Sequence, residues 1–388
     1  MTTINSAAID GVLKAGVDGG SVPHVAAIVA DRDGVIYEGG FGPRVAGESG
    51  DVSTSTHFRI MSMTKMVATT AALQQRERGD LDFDAPVENF VPEFANVQVL
   101  DGFDGDTPKL RAPKTKATVK HLLTHTSGLA YWFWDKNIGR FEQVTGTPNV
   151  VPGDMAAFGA PMVHDPGERF TYGINTDWLG RVVEAVAGQT LDVVVKENIT
   201  GPLGMNDTMF ALGDAHQGNK TPVHVPGEGG WASAGNVLPD NPQWWAGGHG
   251  LHSTPRDYVR FTQMLLRNGE LGGERILTSE TVDEAFTNQI GNLDFPHAIP
   301  SADPAIVGSP FDLGPGWKWG WGLLLNTTDV PGGRKQGTGA WAGLFNTHFW
   351  VDRTTGITAS IYTNSLPFIT PGALGLYADY EQAVYAAL

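Results

Sequence analysis

The chain has 388 residues, 41% of them apolar and 18% charged. That excludes a disordered chain and leaves room for two domains, or for one domain with a large insertion. Its 42 acidic against 26 basic residues give a net charge of −16, the wrong sign for nucleic acid or an anionic membrane surface. Cysteine is absent, so disulfides and thiolate metal sites are excluded, and no apolar window is long enough to span a membrane.

In chain order, residues 4–18 have the period of an amphipathic helix. Met1-Thr2-Thr3-Ile4-Asn5-Ser6 contains no basic stretch leading into an apolar run, so the expected location is cytoplasmic. Strands are predicted over residues 22–30 and 34–40, joined by the turn Asp31-Arg32-Asp33-Gly34. The next helix opens in Arg59-Ile60-Met61-Ser62-Met63-Thr64-Lys65-Met66-Val67 and stops at Arg76-Glu77-Arg78-Gly79. Ser62, Met66, Thr69 and Leu73 share its inward face, with Lys65 at the edge of that face. Desolvation and the positive end of the helix dipole both push the pKa of such a lysine down. A lysine that loses its charge is a base toward the serine three residues before it. The pair is the minimum equipment for a serine acyl-enzyme without a catalytic histidine.

From about residue 90 to 245 the pattern is helices separated by Gly/Pro loops. A short helix is predicted over 119–123. His121 and His125 are four apart but have no carboxylate at a useful spacing, so they are assigned to helix-end and loop hydrogen bonding rather than to a metal. The run Tyr131-Trp132-Phe133-Trp134 cannot point all one way, and at least one ring is expected on a ligand side. Tyr172, in Phe170-Thr171-Tyr172-Gly173-Ile174-Asn175, precedes a helix by a few residues. A phenol there, facing an ammonium, is expected to have a lowered pKa and to pass protons. The helix itself spans 176–187, with Asn175 as its cap and Gly188 as its stop. A further helix over 255–268 follows Gly247-Gly248-His249-Gly250-Leu251.

The last third returns to strands, at 319–325, 343–351 and 356–363, and closes with a helix over 372–387. In Gly337-Thr338-Gly339-Ala340-Trp341-Ala342-Gly343-Leu344-Phe345 small residues let the backbone approach a ligand closely. Strands at both ends with helices between predict an α+β fold: one antiparallel sheet from both termini, flanked by helices. Residues 1–90 and 246–388 would form that α/β part and 91–245 a mainly helical inserted domain, with the active site between them. No Gly-x-Ser-x-Gly elbow exists in the chain, which removes the usual α/β-hydrolase reading.

Ser62-x-x-Lys65, then Tyr172, then Trp341-Ala342-Gly343 occur in the order seen in serine β-lactamase-like proteins. The chain resembles the family VIII carboxylesterases, relatives of class C β-lactamases and D,D-peptidases, over nearly its whole length. Segments 121–129, 201–208 and 247–254 are also similar. The resemblance implies a β-lactamase-like fold, no cofactor, no metal, a small-molecule ester as partner and water as acyl acceptor. Ser62 would attack the ester carbonyl. Lys65, with Tyr172, would take the hydroxyl proton and return it to the leaving alcohol. The backbone N–H groups of Ser62 and Leu344 would form the oxyanion hole. Trp341, Gly343, Ile174, Tyr131, Trp134 and His249 are expected around the substrate.

Two departures bear on specificity. Class C β-lactamases carry Tyr-x-Asn, where this chain has Ile174, and Lys-Thr-Gly, where it has Trp341-Ala342-Gly343. Losing an amide donor and a cation disfavours an anionic β-lactam and favours a neutral ester, short-chain or small aromatic. The alternatives are an amide or β-lactam hydrolase, an acyltransferase, or a silent penicillin-recognition fold used as a binding module. Oligomeric state is not legible in the sequence.

Overall fold

The computed structural model describes residues 4–239 and 241–388. Its frame is a seven-stranded antiparallel sheet made of β1 (Val25–Asp31), β2 (Val35–Phe41), β3 (Trp317–Trp319), β4 (Leu324–Asn326), β5 (Gly339–Gly343), β6 (Thr347–Asp352) and β7 (Ile357–Tyr362). The spatial order is β3-β4-β5-β6-β7-β1-β2, so the two termini share one sheet. The seam is the pairing of β1 with β7, which runs from Ala26 opposite Tyr362 to Asp31 opposite Ile357. Five helices frame the site or the sheet: α1 (Ser6–Asp18), α2 (Thr64–Glu77), α3 (Asn175–Ala187), α4 (Pro255–Leu266) and α5 (Pro371–Ala387).

Strand β1 is apolar along its length because both faces are covered. Val25, Ala27 and Val29 pack with Ile9 and Leu13 of α1 and with Leu376 and Tyr380 of α5. Ile28 and Ala30 point the other way, onto Val259 of α4. The period-two split is the ordinary consequence of the pleat. The α+β architecture expected from strands at both ends is the one observed. No helix among the described residues is long and apolar enough to cross a membrane.

The structure corrects several local readings. Residues 343–351 are not one strand: β5 ends at Gly343 and β6 starts at Thr347, with Asn346 in the left-handed region at φ +54°. Residues 319–325 are likewise split into β3 and β4 around Gly322, at φ +73°. A Cβ on Gly322 would lie 2.8 Å from Thr69 Oγ1, so the turn needs a glycine both for its backbone and for its closeness to α2. Asn175 does not cap α3; it is the first helical residue, and Ile174 holds the cap position. Its buried amide instead accepts from Ser127 Oγ at 2.5 Å and meets His125 Nδ1 at 2.9 Å. Segment 91–245 also carries two hairpins that alternation did not reveal, Val99–Asp104 with Thr107–Arg111 and Val223–Gly227 with Gly230–Gly235. His121 closes a capping box with Thr118.

Candidate active site

Ser62 lies in a single 3₁₀ turn, Met61–Met63, and α2 begins only at Thr64. Met61 is held at φ +48° directly before the serine. A bulky residue in that region costs of order 1–3 kcal/mol and persists only where its surroundings over-determine it. They do so here. Ile60 N–H donates to Leu251 O at 3.1 Å, and Tyr258 O–H donates to Met63 O at 2.9 Å. Leu251 N–H donates to Thr64 Oγ1, and Thr347 Oγ1–H to Ile60 O, both at 3.1 Å. A Cβ on Gly343 would lie 2.3 Å from both Ile60 O and Thr347 Oγ1. Only glycine lets β5 lie this close to the serine turn, so the structure places Gly343 as a spacer behind the turn.

Lys65 is 1% exposed. Its Nζ has three oxygen neighbours: Gly248 O at 2.8 Å, Tyr131 Oη at 3.0 Å and Ser62 Oγ at 3.2 Å. Burial pushes its pKa down to about 7, and the nearby Asp177 carboxylate works against that shift. A neutral amine has two hydrogens and one lone pair. Gly248 O can only accept; Tyr131 can accept from Lys65 while its own hydroxyl points to Asp177 Oδ2, 3.5 Å away. Burial raises the Tyr131 pKa well above the ordinary phenol value, so this hydroxyl keeps its proton. That leaves the lysine lone pair for the Ser62 hydroxyl. Asp177 is fully buried, and its Oδ1 accepts from Gly248 N–H at 2.8 Å. Burial raises its pKa to about 6, against the pull of Lys65, the Gly248 N–H and Tyr131.

Tyr172 lies over the same ammonium, with Lys65 Nζ 4.9 Å from its ring centre. Its pKa is raised, not lowered as expected from the sequence. Burial outweighs the hydrogen bonds from Ser62 and Trp341 that favour the phenolate. Trp341 Nε1–H donates to Tyr172 Oη at 3.1 Å, and the Trp341 ring meets Tyr172 and Trp319 edge-on at 4.9 and 4.7 Å.

Ser62 opens onto a narrow cleft lined by Phe133, Trp134, Tyr172, Ile299, Phe311, Trp341, Ala342, Leu344 and Phe368, with about 410 Å³ not filled by atoms. The lining carries no charged side chain. The structure thus brings together Ser62, Lys65, Tyr172, Trp341, Leu344 and Trp134. It places Tyr131 behind Lys65 rather than in the cleft wall. Ile174 is buried in the core and is not part of the lining. His249 lines a separate cavity with Arg59 and Trp244, its Nδ1 3.6 Å from Asp177 Oδ1. Burial, then Lys65 and Arg59, depress its pKa to about 3 and keep it neutral.

Two members of the cluster escaped the sequence reading. Asp177 stands in the first turn of α3, where an acidic residue reads as an ordinary complement to the helix dipole. Gly248 acts through its carbonyl, for which no side-chain signal exists. Phe311 and Phe368 also reach the cleft from segments that show no motif.

A family model described as Beta-lactamase matches residues 9–383. Lovastatin esterase of Penicillium rubens is 30% identical to this chain, covering 96% of each. Monacolin J acid methylbutanoyltransferase of Aspergillus terreus is 28% identical, covering 86% of this chain and 83% of that protein. The solved structure of unliganded simvastatin synthase from Aspergillus terreus, a selenomethionyl derivative, superposes with a TM-score of 0.83 at 26% identity, covering 98% of both chains. The names of these relatives denote ester hydrolysis and acyl transfer.

Proposed function

The chain belongs to the beta-lactamase family, and from that premise we propose that it is a serine carboxylesterase hydrolysing neutral short-chain or small aromatic esters through a Ser62 acyl-enzyme. The observation that carries the reading is the Ser62 Oγ–Lys65 Nζ contact of 3.2 Å opening onto a cleft without a charged side chain. Ser62 Oγ bonds to the ester carbonyl carbon as its proton passes to Lys65. The backbone N–H groups of Ser62 and Leu344 stabilise the oxyanion. The carbon–alkoxide bond then breaks, and the alcohol leaves with the proton from Lys65. Tyr172, which stays protonated at neutral pH, serves as a hydrogen-bond donor at this oxygen and not as the base. Water repeats the sequence on the acyl-enzyme and frees the acid. Ser62, Lys65 and Trp341 come from the part proposed to comprise 1–90 and 246–388. Tyr172, Tyr131 and Asp177 come from 91–245, so the proposed site lies between the two.

The test is kcat/KM for p-nitrophenyl butyrate beside a chromogenic cephalosporin, with Ser62→Ala as the blank. A strong Ser62-dependent rate on the ester and a trace on the cephalosporin supports the reading; the reverse ranking overturns it. A second reading, acyl transfer to an alcohol other than water, is favoured by the relatives named as a methylbutanoyltransferase and a simvastatin synthase. It is separated by adding a small alcohol and measuring how the acyl group partitions between new ester and free acid.

A further inference from the structure

Away from the cleft, His57, Asp207 and His216 converge from distant parts of the chain. Asp207 Oδ1 lies 3.5 Å from His57 Nε2 and 3.6 Å from His216 Nε2, and one ligand atom from each residue lies within 4.8 Å of the others. These separations are long for hydrogen bonds. The two from Asp207 match the edge of a tetrahedron with metal–ligand bonds of roughly 2.0–2.2 Å, which is about 3.3–3.6 Å. A second observation concerns the imidazoles themselves. His57 is 3% exposed, yet neither of its ring nitrogens makes a hydrogen bond of ordinary geometry, its neighbours being Asp207 and the Asn219 backbone, and His216 Nδ1 is buried without a partner. Buried polar atoms nearly always have a partner, and those that lack one need an explanation.

We infer that His57, Asp207 and His216 form a binding site for a single divalent transition-metal ion of the zinc type, with water completing the coordination. Two imidazoles and a carboxylate suit zinc, whereas calcium and magnesium take oxygen ligands. This departs from the sequence expectation of no metal, which weighed only the His121–His125 pair. The backbones of the two histidines are already tied together, and that of Asp207 is fixed separately. His57 N–H donates to Asn219 O at 2.9 Å, and Asn219 N–H to His216 O at 3.1 Å. Asp207 N–H donates to Asp257 Oδ2 at 2.7 Å. The side chains of Asp207 and His216 are 47% and 30% exposed, which gives the ion a way in from solvent. His57 is five residues ahead of Ser62, so the ion would clip segment 207–216 to the stretch of chain that leads into the serine turn. The role is structural and does not depend on the esterase reading.

The test uses untagged full-length protein, stripped with a chelator, dialysed, and given Zn²⁺ alone. Retained zinc is measured by elemental analysis, stability by Tm, and geometry by the visible spectrum of the Co²⁺-substituted protein. The expected result is one retained zinc, a higher Tm with zinc, and tetrahedral Co²⁺ bands. His216→Ala should weaken Zn²⁺ binding at least about tenfold and abolish the Tm rise, while keeping the metal-free Tm because its side chain is partly exposed. Asp207→Asn should also lose the Co²⁺ bands. No zinc retained by the wild type, or unchanged binding in both variants, overturns the inference.

Discussion

Two buried pairs of opposite charge behave in opposite ways in this molecule. Under α5, Arg334 grips Glu381 bidentately, with Nε to Oε1 at 2.8 Å and Nη2 to Oε2 at 2.6 Å. Arg334 also donates to the Tyr377 hydroxyl and lies 5.0 Å from the Trp350 ring centre. Burial works against both charges, but it loses: Tyr377 and Glu381 raise the Arg334 pKa, and Arg334 lowers that of Glu381. Lys65 and Asp177 are linked instead through Tyr131 and the Gly248 peptide. There burial wins, and the two pKa values move toward each other, to about 7 and about 6. A direct fork holds both charges in place. A pair separated by a phenol and a peptide leaves a proton free to move, which a fastener does not need and a general base does.

Breaking each pair should therefore damage a different property. Lys65→Met should lower kcat on p-nitrophenyl butyrate by about 10²–10⁴-fold, the usual contribution of a positioned base. Its Tm should be retained or rise. A lysine whose folded pKa is depressed binds its proton less tightly than in the unfolded chain. The destabilisation is full below about pH 7 and fades as pH climbs toward the ordinary lysine value. A large fall in Tm would mean that Lys65 is a structural residue like Arg334. Glu381→Gln should do the reverse, costing about 3–5 kcal/mol by urea unfolding because it strands a buried guanidinium. Its kcat should stay near wild type. Glu381 has a depressed folded pKa, so its contribution is present above the unfolded value and is lost as pH falls through the folded one. The variant should accordingly show a flatter loss of stability on the acid side. An unchanged acid limb would refute the assignment.

The same contrast separates what was legible in the sequence from what was not. Ser62, Lys65 and Tyr172 announce themselves by residue type and spacing, and the strands at both termini by apolar runs bounded by turn residues. The Arg334–Glu381 fork is invisible because its partners are 47 positions apart, and neither flanking pattern marks burial. Asp177 was hidden by its own position, since an acid in a first helical turn is ordinary until the turn is seen to be buried. The direction of the Tyr172 shift was misread for a related reason. The sequence shows the neighbouring charge but not the depth of burial, and burial proves the larger effect. Strand β5 was not read as a strand, and 343–351 was read as one, because the glycines and alanines of β5 carry little strand signal and nothing in the sequence marks the turn at Asn346.

Asp177→Asn tests the electrostatic half of the comparison. The carboxylate raises the Lys65 pKa against burial, so its removal should drop that pKa below about 7. On the proposed mechanism activity requires the neutral amine, so kcat/KM in the wild type should rise with pH through about 7 before levelling. In the variant the rising limb should move to lower pH. The asparagine oxygen can still accept from Gly248 N–H, so the plateau should stay within about tenfold of wild type. A limb that stays put would assign the titration to another group.

The smallest effect expected is that of Trp341→Phe, and it tests what the tryptophan adds beyond its bulk. The Phe ring can keep the edge-on contacts with Tyr172 and Trp319, but it cannot donate to Tyr172 Oη. A net hydrogen bond of about 0.5–1.5 kcal/mol predicts a fall in kcat of about 2–13-fold. The loss should appear in kcat, because the indole N–H favours the more acidic state of a phenol that must hydrogen-bond at the reacting oxygen. A loss confined to KM would make Trp341 only a wall of the acyl pocket. It would also remove the reason for linking its N–H to the chemistry at Ser62.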